Sequence, residues 1–142
     1  MEHLEFLMSH LHSSVTYWKT LGLKLKELDE GSAIFEINVW DGLTWETSPD
    51  KKIVHGGVLA SMLDSCCACA AATVSIPDSL VATIDLQVAY HRVASGGRLV
   101  GKGTVKSAGK RVIFCEAEIQ DEKGQIIASG TSQLLRIPTG DN

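Results

Sequence analysis

The 142-residue sequence predicts an α+β protein in which a long antiparallel sheet wraps around one central helix. Residues 57–73 form an apolar segment of helical length that lies between two groups of strand-like patterns. The strands on either side are separated by glycine-containing turns, which are typical of antiparallel hairpins. Because a helix that is apolar nearly all round must be buried, we expect the sheet to curl around it.

The N-terminal segment predicts a surface helix over residues 3–21. Apolar residues recur there at spacings of three and four, and Gly22 follows as a stop; they are Leu4, Leu7, Leu11, Val15, Trp18 and Leu21. Two short strands are expected between Leu23 and Trp40, joined by a turn at residues 29–32. Residues 41–53 are expected to form a polar loop.

The second half of the chain predicts four antiparallel strands, over residues 80–91, 98–107, 111–120 and 125–137. In the first of them, the even-numbered residues from Leu80 to Tyr90 are apolar, so we expect them to share one face, with Thr83, Asp85 and Gln87 on the other. The sequence contains no internal repeat and no linker. A single domain is therefore expected over residues 1–142.

Composition and charge argue against several classes of partner. Thirteen Lys and Arg against seventeen Asp and Glu give a net charge of −4, and no basic stretch could follow a phosphate backbone, so nucleic acid is not an expected partner. No uninterrupted run of eighteen apolar residues is present, and no basic segment precedes the first apolar positions. We therefore expect no membrane span, no secretion signal and a cytoplasmic location.

Three of the four cysteines, Cys66, Cys67 and Cys69, crowd into the central segment without the spacing of a zinc site. Small, buried, reduced thiols are the simplest interpretation. We expect no metal and no cofactor.

One carboxylate, Asp64, stands inside this apolar segment. On a helix, it shares one stripe with small residues, namely Gly57, Ala60, Ser61 and Ala68. An isolated carboxylate in such a place is unfavourable unless it is paired or used. Asp64 is therefore either satisfied by a hydroxyl or amide across a subunit contact, or it takes part in catalysis.

The segment begins with His55, Gly56 and Gly57. Two glycines at a helix start either form a tight turn or let a ligand approach free backbone N–H groups at the positive end of the helix dipole. An oxyanion donor and a carboxylate are the minimum for hydrolysing an activated acyl group. Gly57 and Asp64 lie about 10 Å apart along the helix axis, so two antiparallel helices across a two-fold axis would be needed to complete a site.

The chain resembles the hotdog-fold thioesterases of the phenylacetate-degradation (PaaI-like) and human acyl-CoA thioesterase 13-like group over residues 20–137. The motif at residues 55–58 (HGGV), the Leu63-Asp64 pair and the strand at residues 83–90 (TIDLQVAY) carry the resemblance. It implies hydrolysis of acyl- or aryl-CoA thioesters without metal, by a homodimer as the minimal unit or a homotetramer.

The resemblance also implies roles for individual residues. The Gly57 N–H would be the oxyanion donor, Asp64 the general base or nucleophile, Thr83 a residue that helps to position water, and His55 a residue that shapes the helix entry. The expected substrate contacts are Gly56, Val58 and Ser61. The expected phosphate-binding residues are Arg92, Lys110 and Arg111, which lie in or beside turns.

One position departs from the family pattern. Many relatives place an Asn about six residues before the His-Gly-Gly motif, where this chain has Pro49. Thr47, Ser48 or a water must then replace its amide, or the carbonyl is held less tightly. Trp40 and Trp45 either wall an acyl pocket or simply pack or lie exposed.

Two other functions are alternatives to acyl-CoA hydrolysis. A non-catalytic acyl-CoA-binding hotdog module is the alternative to an enzyme, but binding alone does not need a carboxylate beside the thioester. A hydratase or dehydratase would need a catalytic His-Asp or His-Glu arrangement that this sequence lacks.

Overall fold

The structure is a computed structural model that describes residues 2–140; residues 1, 141 and 142, at the ends of the predicted domain, lie outside it. The first half comprises α1 (Glu2–Ser14), α2 (Thr16–Leu21), β1 (Leu23–Asp29), β2 (Ser32–Asn38), a 3₁₀ turn (Asp41–Leu43), β3 (Thr44–Ser48) and β4 (Lys51–Val54). The second half comprises α3 (Gly56–Thr73), β5 (Ser79–Tyr90), β6 (Arg98–Ala108), β7 (Val112–Gln120) and β8 (Ile126–Pro138).

Six strands form one antiparallel sheet in the order β1-β2-β6-β7-β8-β5, and α3 packs against every one of them. Alternate residues of the inner strands are buried against this helix, for example Ala33, Phe35 and Ile37 of β2. The predicted fold class, a long antiparallel sheet wrapped around one central helix, is confirmed. β5 stands at one edge of the sheet.

α3 is buried except along one stripe. The residues that remain half-buried or exposed are Gly56, Gly57, Ala60, Ser61, Asp64, Ala68 and Ala72. We call this set the α3 stripe. α3 is 18 residues long and has a mean hydropathy of 1.3, so by length and composition it could also cross a membrane. The expectation of no membrane span was based on uninterrupted apolar runs and did not identify this segment. However, 61% of it is buried inside the fold, as expected for a core helix.

Two glycines of β6 let α3 lie directly on the sheet. A Cβ atom at Gly103 would stand 2.2 Å from the carbonyl oxygen of Cys66, and one at Gly101 would stand 2.9 Å from the Cys66 Sγ. Any side chain at Gly103 would therefore push the helix away. As predicted, Cys66, Cys67 and Cys69 are buried and free, and so is Cys115 of β7. Burial raises the pKa of Cys67 and of Cys69 to about 12.

The prediction of one helix over residues 3–21 was wrong. The chain leaves helical geometry at Val15, with φ −91° and ψ 86°, and forms two helices instead. The break turns Trp18 into the core, where its ring packs edge-on against Phe35 with centroids 5.0 Å apart. The predicted polar loop at residues 41–53 is also different, because most of it forms the β3–β4 hairpin, in which Trp45 pairs with Ile53.

The predicted alternation along β5 was wrong for a different reason. The pairing of β5 with β8 shifts by one residue between Thr83 and Asp85, which leaves Ile84 as a β-bulge. A bulge reverses which residues face inward. Thr83 therefore faces α3 before the bulge, while Leu86 and Tyr90 face it afterwards.

Candidate active site

Asp64 lies midway along the α3 stripe and is half-buried. Its Oδ1 accepts a hydrogen bond of 2.8 Å from the Thr83 Oγ1 on β5. This contact joins the central helix to the edge strand, just before the bulge at Ile84. Among residues 2–140 no other side chain bonds this carboxylate, so its Oδ2 is available to a substrate or a water.

His55 caps the start of α3. Its backbone is extended, with φ −63° and ψ 135°, and its Nδ1 accepts a 2.9 Å hydrogen bond from the Gly57 N–H. A neutral imidazole that accepts at Nδ1 carries its proton on Nε2. The cap also means that the Gly57 N–H, the predicted oxyanion donor, already has a partner.

Gly56 is the position that stays open at the helix start. The Val58 N–H donates to the His55 carbonyl over 3.0 Å, whereas the Gly56 N–H has no acceptor within the described residues. This free N–H stands at the positive end of an 18-residue helix. The Gly56 N–H is therefore more accessible to a bound carbonyl oxygen than the Gly57 N–H, which was the predicted donor.

Tyr90 supports the same turn and was not predicted as a site residue. Its hydroxyl donates to the Gly56 carbonyl over 3.0 Å, and a Cβ at Gly56 would stand 3.3 Å from its ring. The Gly56–Gly57 peptide is thus held at its oxygen by Tyr90 and at its N–H by His55. The two partners are 34 residues apart in the sequence, so no local pattern indicates this contact. It becomes visible only once the register of β5 is known.

Ser61 lies on the α3 stripe between the helix entry and Asp64. The Ser61 hydroxyl donates to the Gly57 carbonyl over 2.9 Å, and the Tyr17 hydroxyl of α2 lies 2.7 Å from the Ser61 Oγ. Tyr17 was also missed, because the apolar spacing of the N-terminal segment passes over it. No local pattern connects Tyr17 with Ser61.

The remaining predicted residues are not all at this site. Val58 is buried in the core, so the expectation that it contacts substrate is not supported by its position. Arg92 follows the end of β5, whereas Lys110 and Arg111 lie in the β6–β7 turn. The Arg111 carbonyl in that turn accepts a hydrogen bond from the Arg136 N–H of β8. Arg136 in turn pairs with Val81, near the start of β5. All three cations are exposed, but within one chain they stand at opposite ends of the sheet.

The hairpin before His55 contains the position where relatives have Asn. Pro49 lies in the β3–β4 turn beside Asp50, which adopts a positive φ of 65°. The Thr47 hydroxyl is 3.4 Å from the Lys51 carbonyl and so serves the hairpin itself. Trp45 is exposed on this hairpin, while the Trp40 Nε1 donates to the Leu21 carbonyl at the end of α2.

The described residues contain no group of three or more His, Cys, Asp or Glu side chains placed to hold a metal ion. The candidate site offers one oriented carboxylate, a backbone N–H at a helix start that has no partner among the described residues, and nearby hydroxyls.

The chain is similar to known proteins of one family. The family model of the Thioesterase superfamily matches residues 51–128, a span that includes α3, Asp64 and Thr83. The chain is 29% identical over 130 residues to the medium/long-chain acyl-CoA thioesterase YigI of Salmonella typhimurium, covering 82% of this chain and 83% of that protein. It is 30% identical over 98 residues to YigI of Escherichia coli, covering 60% and 63%.

Two solved structures share the fold of this chain. A protein from Shewanella oneidensis related to the thioesterase superfamily superposes with a TM-score of 0.82 at 30% identity, covering 94% of this chain and 95% of the other. A thioesterase from Haemophilus influenzae gives a TM-score of 0.85 at 16% identity, covering 98% and 93%, which shows the fold alone.

Proposed function

The chain belongs to the Thioesterase superfamily, and we propose that it hydrolyses the thioester bond of acyl-coenzyme A to a free acid and coenzyme A. The observation that carries this proposal is the Asp64 carboxylate, oriented by Thr83 on the open stripe of a helix that begins with a free N–H. The names of the YigI relatives support the substrate class. Membership of the PaaI-like subgroup stays a prediction.

In the proposed mechanism, the thioester carbonyl oxygen accepts a hydrogen bond from the Gly56 N–H. The helix dipole and the lack of a partner for this N–H among residues 2–140 favour the negative charge that develops on the oxygen. His55 and Tyr90 keep the next peptide in place, so the donor does not need to reorganise as the charge develops.

Asp64 then acts as general base or as nucleophile. As a base, its free Oδ2 takes a proton from water while the water oxygen forms the new C–O bond; the C–S bond then breaks, and the thiolate of coenzyme A leaves and is protonated. As a nucleophile, the same oxygen attacks the thioester carbonyl, the C–S bond breaks and the thiolate of coenzyme A leaves and is protonated; water then hydrolyses the resulting anhydride to the free acid and the Asp64 carboxylate. In both routes the Thr83 hydroxyl holds Oδ1, and its own oxygen can accept a hydrogen bond from the attacking water.

The site requires two copies of the chain. Gly56 and Asp64 are eight residues apart on α3, about 12 Å along its axis, so one chain cannot bring both to one carbonyl. The α3 stripe is open to a second helix, and β5, twelve residues long, has a strand partner on one side only in the described part of the chain. Antiparallel pairing of two β5 strands would place Gly56 of one protomer near Asp64 of its partner.

The same pairing explains the distribution of cations. Because β5 would run antiparallel to its copy, the Arg92 end of one protomer would lie beside the Lys110 and Arg111 end of its partner. Three exposed cations that one chain holds apart would then meet at each end of the dimer, where the phosphates of coenzyme A can be bound. A homotetramer would join two such dimers.

The test is the substitution Asp64→Asn, assayed by steady-state release of coenzyme A from a panel of acyl-CoA substrates. The amide keeps the shape and the contact with Thr83 but cannot accept a proton or attack, so kcat should fall by about 10²–10⁴-fold. Affinity for a non-hydrolysable acyl-CoA analogue should be retained. Asp78→Asn, at an exposed site outside α3, is the matched control for loss of charge. Full kcat in Asp64→Asn would refute the mechanism.

A further inference from the structure

The N-terminal helices place one side chain over the α3 stripe. Tyr17, in the first turn of α2, has its hydroxyl 2.7 Å from the Ser61 Oγ. The Ser61 Oγ also lies 2.9 Å from the Gly57 carbonyl oxygen, so Tyr17, Ser61 and Gly57 form one chain of hydrogen bonds. The phenol is therefore tethered midway between the helix entry and Asp64.

The neighbouring residue fixes this position. Trp18 is buried, and its Nε1 donates to the Ser65 Oγ over 3.1 Å, one turn further along α3 than Ser61. α2 then ends at Gly22, which is left-handed and whose N–H donates to the Trp18 carbonyl. Two adjacent side chains thus attach α2 to α3, one inside the core and one at the open stripe.

The ring of Tyr17 stays half-exposed, at 52%. Leu21 lies four residues later on the same face of α2, and Trp40, 50% exposed, covers the end of the helix through its bond to the Leu21 carbonyl. We call the side chains of Tyr17, Leu21 and Trp40 together the apolar strip. The one cation of α2, Lys19, lies about 200° around the helix from Tyr17.

Building on the proposed function, we propose that Tyr17 is a specificity-determining residue whose ring contacts the acyl chain of the substrate, and that this chain runs along the apolar strip. The strip begins at Ser61 of the α3 stripe, and it offers hydrocarbon surface; the cation next to Trp40, Lys52, is already paired with Asp41 over 3.1 Å. The strip also lies outside residues 51–128, so it is an addition to the part that the family model matches.

The experiment measures binding of alkyl-CoA thioethers, which cannot be hydrolysed, with ethyl, octyl and hexadecyl chains, by isothermal titration calorimetry. Tyr17→Ala should weaken binding of the octyl and hexadecyl analogues by about tenfold and leave the ethyl analogue unchanged. Tyr17→Phe keeps the ring and should bind like the wild type. Tyr17→Trp, with a larger ring, should shift the preference toward shorter chains. Phe6→Ala, an exposed aromatic on α1, is the control.

An equal loss for all three analogues, or no loss for any, would overturn the proposal for Tyr17. Turnover of the matching acyl-CoA esters by the wild type separates this outcome from failure of the proposed function. Absent turnover with a chain-length-dependent loss of binding would remove the hydrolase mechanism and keep the role of Tyr17. Normal turnover, together with a Tyr17→Ala effect that did not depend on chain length, would keep the hydrolase mechanism and remove the role of Tyr17. A wild type that bound none of the analogues would contradict both the mechanism and the role of Tyr17.

Discussion

Replacing Gly56 with proline removes the one N–H that we propose for the oxyanion, with little other change. Gly56 is the first residue of α3, a position where proline is well tolerated. The residue before a proline must be extended, and His55 already is, with ψ 135°. Because the Gly56 N–H has no partner in the described structure, no internal hydrogen bond is lost. We therefore expect the variant to fold with nearly unchanged stability.

The expected loss is catalytic. Removal of one oxyanion donor costs about 10²–10³-fold in kcat, which corresponds to about 2.7–4 kcal/mol of transition-state stabilisation. Substrate binding should change much less, because the ground-state carbonyl carries little of the charge that the donor stabilises. The signature is a fall in kcat with a nearly constant KM.

Two variants serve as controls. Gly56→Ala introduces the same Cβ, 3.3 Å from the Tyr90 ring, but keeps the N–H and should retain most of the turnover. Gly57→Pro removes the N–H that donates to His55, so it should lower the stability of the helix start by about 1 kcal/mol and reduce kcat less than Gly56→Pro does.

The assay is steady-state release of coenzyme A, with thermal unfolding as the stability measurement. Full activity in Gly56→Pro together with a large loss in Gly57→Pro would refute our assignment and return the donor to Gly57. Equal losses in Gly56→Pro and Gly56→Ala would show that contact with Tyr90, rather than the N–H, is responsible.

Further predictions follow from the same geometry. Thr83→Ala should lower kcat about 10–100-fold by releasing the carboxylate, and Thr83→Ser should restore most of it. Co-refolding equal amounts of Asp64→Asn and Gly56→Pro chains should recover about a quarter of wild-type activity, since half the dimers are hybrids with one intact site of two; inactive hybrids would contradict the shared site. The buried thiols, with the Cys67 pKa raised to about 12, should stay protonated at pH 8 and react with a thiol reagent only on unfolding, whereas rapid reaction of the native protein would contradict their burial.

The parts of the fold that were predicted correctly are those set by patterns along the chain. α3 was predicted within one residue of its observed start because it is apolar on nearly every side, and the long strands because turns with glycine separate them. The β3–β4 hairpin was missed because its residues are polar and its strands pack mainly on each other. The break at Val15 was missed because it depends on where Trp18 finds its partner in the core.

Some residues of the candidate site could be predicted from the sequence, and others could not. Asp64 and the helix entry stand out in the sequence because a carboxylate and two glycines interrupt an apolar run. The choice between Gly56 and Gly57 depends on which N–H the His55 ring accepts, and residue order alone does not determine this. Thr83 and Tyr90 both face α3 only because Ile84 bulges between them, and a one-residue shift in strand pairing leaves no pattern in the sequence.

The close approach of α3 to Gly103 has a consequence for how this protein can move. With the backbone of the helix resting on the backbone of β6, the helix has no room to slide or roll across the sheet when a ligand binds. The Asp64 carboxylate and the start of the helix therefore form one rigid body with the sheet. Adjustment to substrates of different size must come from the segments packed around that body, α1, α2 and the β3–β4 hairpin, which can shift by hinge motions at their ends.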